Sequence, residues 1–262
     1  MSDILTLPVV EIVLVGALAA LTGTLAVLSR RVFFAESVSH ATFPGAVLGV
    51  VMFGQHGIFA GAAVMCLLMS WVMRMISRRP SQSSQASAGV VLTLSFALGY
   101  FLNTWFRPLP VRVETFLTGS VLTVSRIDVL LVAVVLAATV VAVVLRGPHM
   151  MARAFDRESD FLVLALIVAA LVVVIPAIGT ILSIALVVAP AAGLARHVKS
   201  YTTLFWAAPI AGAATGLVGL GLAVAGNFSP GGTIALVAAV FYVLTGLHPS
   251  MWRRKLRMRK SS

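Results

Sequence analysis

FLVLALIVAALVVVIPAIGTILSIALVVAPAAGLA, residues 161–195, decides how often this chain crosses a membrane. The stretch carries no charge. Its two apolar runs, 160–176 and 179–195, are parted by IPAIGT, with Pro176 and Gly179. Each run is short against the about 20 apolar residues that a spanning helix needs. Two short helices satisfy the pattern. So does one crossing with a re-entrant piece, whose irregular backbone would have to lie inside protein or beside water. The first reading gives nine crossings in all, the second eight.

The rest of the chain has the same character. Of its 262 residues 60% are hydrophobic and 10% charged, with a mean hydropathy of +1.06. A soluble domain carries roughly 25% charged residues, so this is an integral membrane protein. Continuous apolar runs predict helices; a barrel would alternate. The runs lie at about 7–29, 38–54, 57–76, 87–106, 127–146, 160–176, 179–195, 203–225 and 231–248. The fold class is therefore all-α and polytopic, with eight to nine transmembrane helices in a single domain over 1–262 and a basic tail from about 250. The first run follows no basic region and no small-residue cleavage pattern, so it reads as a mature helix. Cys66, the one cysteine, excludes a disulfide framework.

The net charge of +11 needs its own account. If all nine runs cross, Arg30, Arg31, Arg74, Arg78, Arg79, Arg146, Arg153, Arg157, Arg196, Lys199 and the six basic residues of the tail share one side. Arg107, Arg112 and Arg126 take the other, a split of 16 to 3 among 19 basic residues. Cytoplasmic loops collect Lys and Arg in this way, so the charge needs no nucleic acid. The tail is a cytoplasmic flank that touches anionic lipid. This arrangement puts the N-terminus outside; eight crossings would move it to the cytoplasm.

Several chemistries are excluded. There is no phosphate loop of the G-x-x-x-x-G-K-[ST] kind, so the chain does not bind ATP in that manner. There is no H-E-x-x-H, no Cys/His cluster at structural zinc spacing and no serine nucleophile elbow. The chain is not expected to be an enzyme.

Polar residues within apolar runs are few, and they are where function is expected. Glu36 and His40 stand four apart in AESVSHATFPG, which puts both on one face of a helix. A carboxylate and an imidazole so placed share a divalent cation; the mixed O/N set suits zinc, iron and manganese. Spacing alone leaves a second reading open, an interfacial ion pair with Ser39 capping the helix. Glu11 reads as an interfacial residue or packing partner. Asp128 reads as the start of its segment, paired with Arg126 or Arg112. His56 sits in a tight solvated loop, and the small residues of 211–226 read as close helix packing.

AESVSHATFPGAVLG, 35–49, resembles the D-A-L-S-H-A-x-x-P-G-x-x-x-G signature of the ABC-3 family, the membrane permeases of manganese, zinc and iron ABC importers. Ser39, His40, Pro44, Gly45 and Gly49 fall in register, and Glu36 stands where the family usually has Asp. ETFLTGSVLTVSRIDVL resembles the family's L-x-x-x-L-F-G-S-I-L-x-V-S-x-x-D-L segment at Gly119, Ser120, Leu122, Ser125 and Asp128. VIPAIGTILSIALVVAPAAGLAR is similar to its V-G-x-x-L-V-x-A-L-L-x-x-P-A-A-x-A-R stretch. The resemblance implies a homodimeric permease of the bacterial cytoplasmic (inner) membrane, working with a cytoplasmic ATP-binding subunit and an extracytoplasmic metal-binding protein. Glu36 and His40 would then line the metal path, with Ser39 and Asp128 as further path residues and no permanently bound cofactor. The family's F-D-P-E contact with its ATPase is kept at Phe155, Asp156 and Glu158, with Arg157 for Pro and a shorter connection into the next helix. The other readings are an ATP-independent metal/proton carrier using Glu11, Glu36 or Asp128, a non-transporting scaffold, and a siderophore- or vitamin-type permease.

Overall fold

The computed structural model of the chain describes residues 2–77, 84–109, 119, 124–155 and 160–247. Among these residues the structure is helical and holds no strand. Lipid offers the backbone no hydrogen bonds, so each segment satisfies its own. The helices are α1 (Ser2–Leu28), α2 (Val32–Ser39), α3 (Thr42–Phe53), α4 (Ile58–Ser77), α5 (Ser84–Trp105), α6 (Arg126–Phe155), α7 (Phe161–Ile178), α8 (Thr180–Ala195), α9 (Tyr201–Gly226) and α10 (Pro230–Leu247), with a 3₁₀ turn at Gly54–Gly57.

The direction of each arm follows from what it touches. Gly45 faces Gly61 and Gly49 faces Gly57, so α3 and α4 form an antiparallel hairpin. Ser37 reaches Ala88, and Phe43 packs on Gly99, so α5 runs alongside α2 and α3 in the same sense. Gly16 faces Gly212 and Ile12 faces Gly216, so α1 and α9 are antiparallel. Backbones in contact at paired glycines are how apolar helices associate where lipid is as apolar as leucine.

The stretch 161–195 makes two helices. α7 leaves from a crevice it shares with Ser29, Arg31, Met150 and Ala154, and α8 returns to that end, where Leu194 and Leu28 pack against one cluster of Ala20, Ala191, Leu204 and Ala208. Between them Gly179 has φ 85°, ψ 154°, a conformation essentially reserved for glycine. Pro176 and Gly179 thus mark a reversal. α7 is apolar all round and largely buried, its Ile167, Leu171, Ile175 and Ile178 almost fully enclosed, as a central helix should be. α6 instead exposes Leu130, Val134, Val141, Val144 and Leu145, as a peripheral helix in lipid does.

Seven stretches of the described residues are long and apolar enough to span a bilayer. One of them, 32–77, doubles back at Gly54–Gly57 and counts as two passes, which makes eight. α8, with 16 residues, is about 24 Å long and falls short of the full hydrocarbon thickness. The expectation of eight to nine is met at its lower value by this criterion. α7 and α8 nevertheless run in opposite senses, so the two ends of the described chain lie at opposite ends of the bundle. Arg30, Arg31, Arg74, Arg153, Arg196 and Lys199 fall at one end, and Arg107 and Arg126 at the other. The long connection between α5 and α6, including Arg112, lies largely outside the described residues.

Candidate metal site

α2 is eight residues long and ends for a local reason. Pro44 has no N–H for the carbonyl of His40, four residues back. The turn tightens there: Ala41 N–H donates to Val38 O at 3.0 Å, three residues back. Ser39 Oγ donates to Glu36 O at 2.7 Å, and Thr42 Oγ1 to Ser39 O at 2.6 Å. Such side chain-to-backbone bonds compete with regular helix and bend it. Ser37 Oγ lies 2.7 Å from both Phe33 O and Ala88 O, which ties α2 to α5.

The helical spacing brings Glu36 and His40 together. Nε2 of His40 lies 3.4 Å from Oε1 of Glu36, and among the described residues this is the one ion pair. His40 is buried at 8% exposure, and the Glu36 side chain retains 26%. The edge of Phe96 meets the imidazole at a centroid distance of 5.7 Å. Oε2 of Glu36 and Nδ1 of His40 are both buried and have no hydrogen-bond partner. Buried polar atoms are rarely left so.

The spacing bears on the two readings of this pair. At 3.4 Å the contact is longer than a good N–H···O bond. Two ligands each about 2.1 Å from one ion in a tetrahedral array stand about 3.4 Å apart. The spacing is one that a long direct contact and a shared ion both satisfy. No third His, Cys, Asp or Glu joins them among the described residues.

The other sequence candidates are placed differently. Ser39 neither caps a helix nor joins the pair; its hydroxyl is spent on the Glu36 carbonyl. Asp128 sits in the first turn of α6, where its Oδ2 accepts from Ser125 N–H at 2.9 Å and its own N–H donates to Ser125 Oγ at 3.2 Å. That is a capping box, not a pairing with Arg126. The electrostatic neighbour of Asp128 is Glu11, which is buried at 3% exposure with Oε2 unpartnered. Phe155 closes α6, while Asp156 and Glu158 lie outside the described residues. His56 is exposed in the 3₁₀ turn, as expected. Phe96 was not foreseen, since nothing in sequence distinguishes one aromatic residue of α5 from another. Two further cavities, the crevice at Arg31 and a groove of about 260 Å³ between α6 and α9 at Val143, Gly147, Tyr201 and Trp206, are lined by neither Glu36 nor His40.

Known proteins share this architecture. The chain is 29% identical to the zinc transport system membrane protein TroC of Treponema pallidum over 266 residues, covering 92% of this chain and 89% of that one. It is 22% identical to the manganese transport system membrane protein MntC of Halalkalibacterium halodurans over 261 residues, covering 93% and 89%. PsaBC from Streptococcus pneumoniae, solved in complex with Fab, has the same fold at a TM-score of 0.86 and 23% identity, covering 97% of this chain and 95% of that one. The model of the ABC 3 transport family matches residues 1–248, and the chain belongs to that family of metal transport permeases.

Proposed function

We propose that this chain is the permease subunit of an ABC importer for a divalent transition-metal ion, with Glu36 and His40 as the point at which the ion is held in transit. One observation carries the reading: a carboxylate and an imidazole inside a spanning stretch, spaced for one ion, with an unpartnered buried polar atom on each. Groups of this kind are expensive in a membrane and mark ion pathways. Two ligands hold an ion loosely, which suits a site that must also release it. A second copy in a homodimer would bring a second pair to a shared path. Zinc, manganese and iron all accept this mixed ligand set. The transport systems of TroC and MntC support the first two.

The switching energy comes from outside the chain. A cytoplasmic ATP-binding subunit would bind two states of the permease unequally and so move it between them. Phe155, Asp156 and Glu158 would form the contact; Phe155 closes α6 at the end of the bundle where the basic residues gather. That end faces the cytoplasm of a bacterial inner membrane by the excess of Lys and Arg, and an extracytoplasmic binding protein would deliver metal to the other.

The test is uptake of radiolabelled zinc, manganese and iron into cells whose own importers are deleted. Glu36→Gln and His40→Ala should each abolish uptake at wild-type levels of membrane-inserted protein. Normal uptake in both variants removes the site assignment. Uptake that survives ATP depletion and collapses with the proton gradient replaces the ATPase partner with a secondary carrier mechanism.

A further inference from the structure

The imidazole of His40 has a second nitrogen, whose needs reach beyond the pair with Glu36. For Nε2, the atom facing Glu36, to hold an ion it must offer its lone pair, so the ring proton sits on Nδ1. A ligating imidazole almost always gives that other N–H to an acceptor, which fixes its tautomer and its orientation. Nδ1 of His40 is buried and has no hydrogen-bond partner.

The side chains of the break itself are spent. Ser37 Oγ is shared between Phe33 O and Ala88 O, Ser39 Oγ donates to Glu36 O, and Thr42 Oγ1 to Ser39 O. The thiol of Cys66 lies 3.5 Å from Val38 O. Among the described residues two buried hydroxyls are idle, those of Ser95 and Thr180. A helical serine can donate to the carbonyl four residues back, as Thr93 on the same helix does to Gly89 O at 3.0 Å. Ser95 Oγ makes no such bond, although its residue is fully buried in a spanning helix.

Three contacts place that hydroxyl. Ala88 meets Ser37, Phe96 meets His40 and Gly99 meets Phe43, so α5 keeps step with α2 and α3 across the break. Ser95 immediately precedes Phe96 and is thus level with His40. It stands two turns beyond Ala88 and one turn before Gly99, so it shares their face, the one turned to the break. The idle hydroxyl and the idle ring nitrogen therefore lie at one level, between α5 and the break.

We propose that Ser95 is a positioning residue for His40, its hydroxyl accepting Nδ1–H when Nε2 takes the ion. The two atoms do not form this bond in the structure. Rotation of the ring about χ2, a broad torsion in histidine, or one bridging water closes it. The inference rests on the reading of Glu36 and His40 as ion ligands, and it adds no ligand to the ion.

The full chain, labelled with nitrogen-15 in its histidine rings and held in lipid nanodiscs, is titrated with zinc. The His40 resonances are those lost in His40→Ala. Ser95→Ala should weaken zinc binding at His40 on the order of 10-fold. In metal-free protein the same substitution should leave the midpoint of thermal unfolding no lower, since an unpaired buried hydroxyl does not stabilise a fold. Thr180→Ala should leave zinc binding as in the parent. Zinc that fails to move the His40 resonances of the parent removes the metal reading, and this proposal with it. Equal zinc affinity in the parent and Ser95→Ala overturns this proposal alone, as does a loss of affinity confined to Thr180→Ala. Affinity and thermal stability that fall together in Ser95→Ala mark a serine that only braces the helices, and overturn it equally.

Discussion

Replacing Gly49 by alanine adds one methyl group at a place where two backbones touch. The new Cβ would lie 2.1 Å from Gly57 O and 2.7 Å from Gly57 C. Ordinary contact begins near 3.4 Å, so the overlap is 1.3 Å (3.4 minus 2.1). Both facing atoms are backbone, so no rotamer change relieves the clash. The hairpin must instead part by about 1 Å, which also loosens the reciprocal contacts of Gly45, Gly57 and Gly61, each now within 2.4 Å by the same measure. Overpacking of this kind costs about 1–3 kcal/mol. At about 2–4 °C per kcal/mol for a chain of this size, the midpoint of thermal unfolding in detergent should fall by about 5 °C. The same substitution at Gly221 of α9 meets nothing within 4 Å. There it should stabilise by about 0.5–1 kcal/mol, since alanine suits a helix interior better than glycine. The assay is a thermal scan of both variants beside the parent. Opposite signs support the close-packed hairpin; a Gly49→Ala protein as stable as Gly221→Ala would refute it.

Pro44→Ala restores an N–H to the His40 carbonyl. It should raise thermal stability by on the order of 1 kcal/mol while slowing metal uptake, because the ligands no longer sit at a break; unchanged transport would separate the break from the site. Asp128→Asn weakens the capping box with Ser125 and should cost about 1 kcal/mol in a thermal scan. Uptake should be retained where Asp128 serves only as a cap, and its loss would support Asp128 as a path residue.

What the sequence made legible follows from periodicity. Four residues between Glu36 and His40 fix a shared face in any helix, and Pro44 fixes a break beside them. The small residues of 211–226 announced close packing, and Gly212 does meet Gly16. Pro176 and Gly179 announced an interruption, though not its nature. A glycine permits a kink or a reversal equally, and only the neighbours of α7 and α8 decide. Gly45 and Gly49 stood out only as signature residues; their pairing with Gly61 and Gly57 was not legible because it depends on folding back at Gly54, whose φ of 65° is again a glycine conformation. Glu11 read as an interfacial residue or a packing partner because its run begins a few residues earlier; its burial agrees with the second, and which helices bury it no local pattern records.

The break between α2 and α3 has a mechanical consequence. Glu36 belongs to the short segment before it and His40 to the break itself, while close glycine contacts tie the hairpin beyond. Under the proposed function, a tilt of that hairpin taken up at residues 39–42 would change the distance between Glu36 and His40. Hinge and grip on the ion would then be one joint.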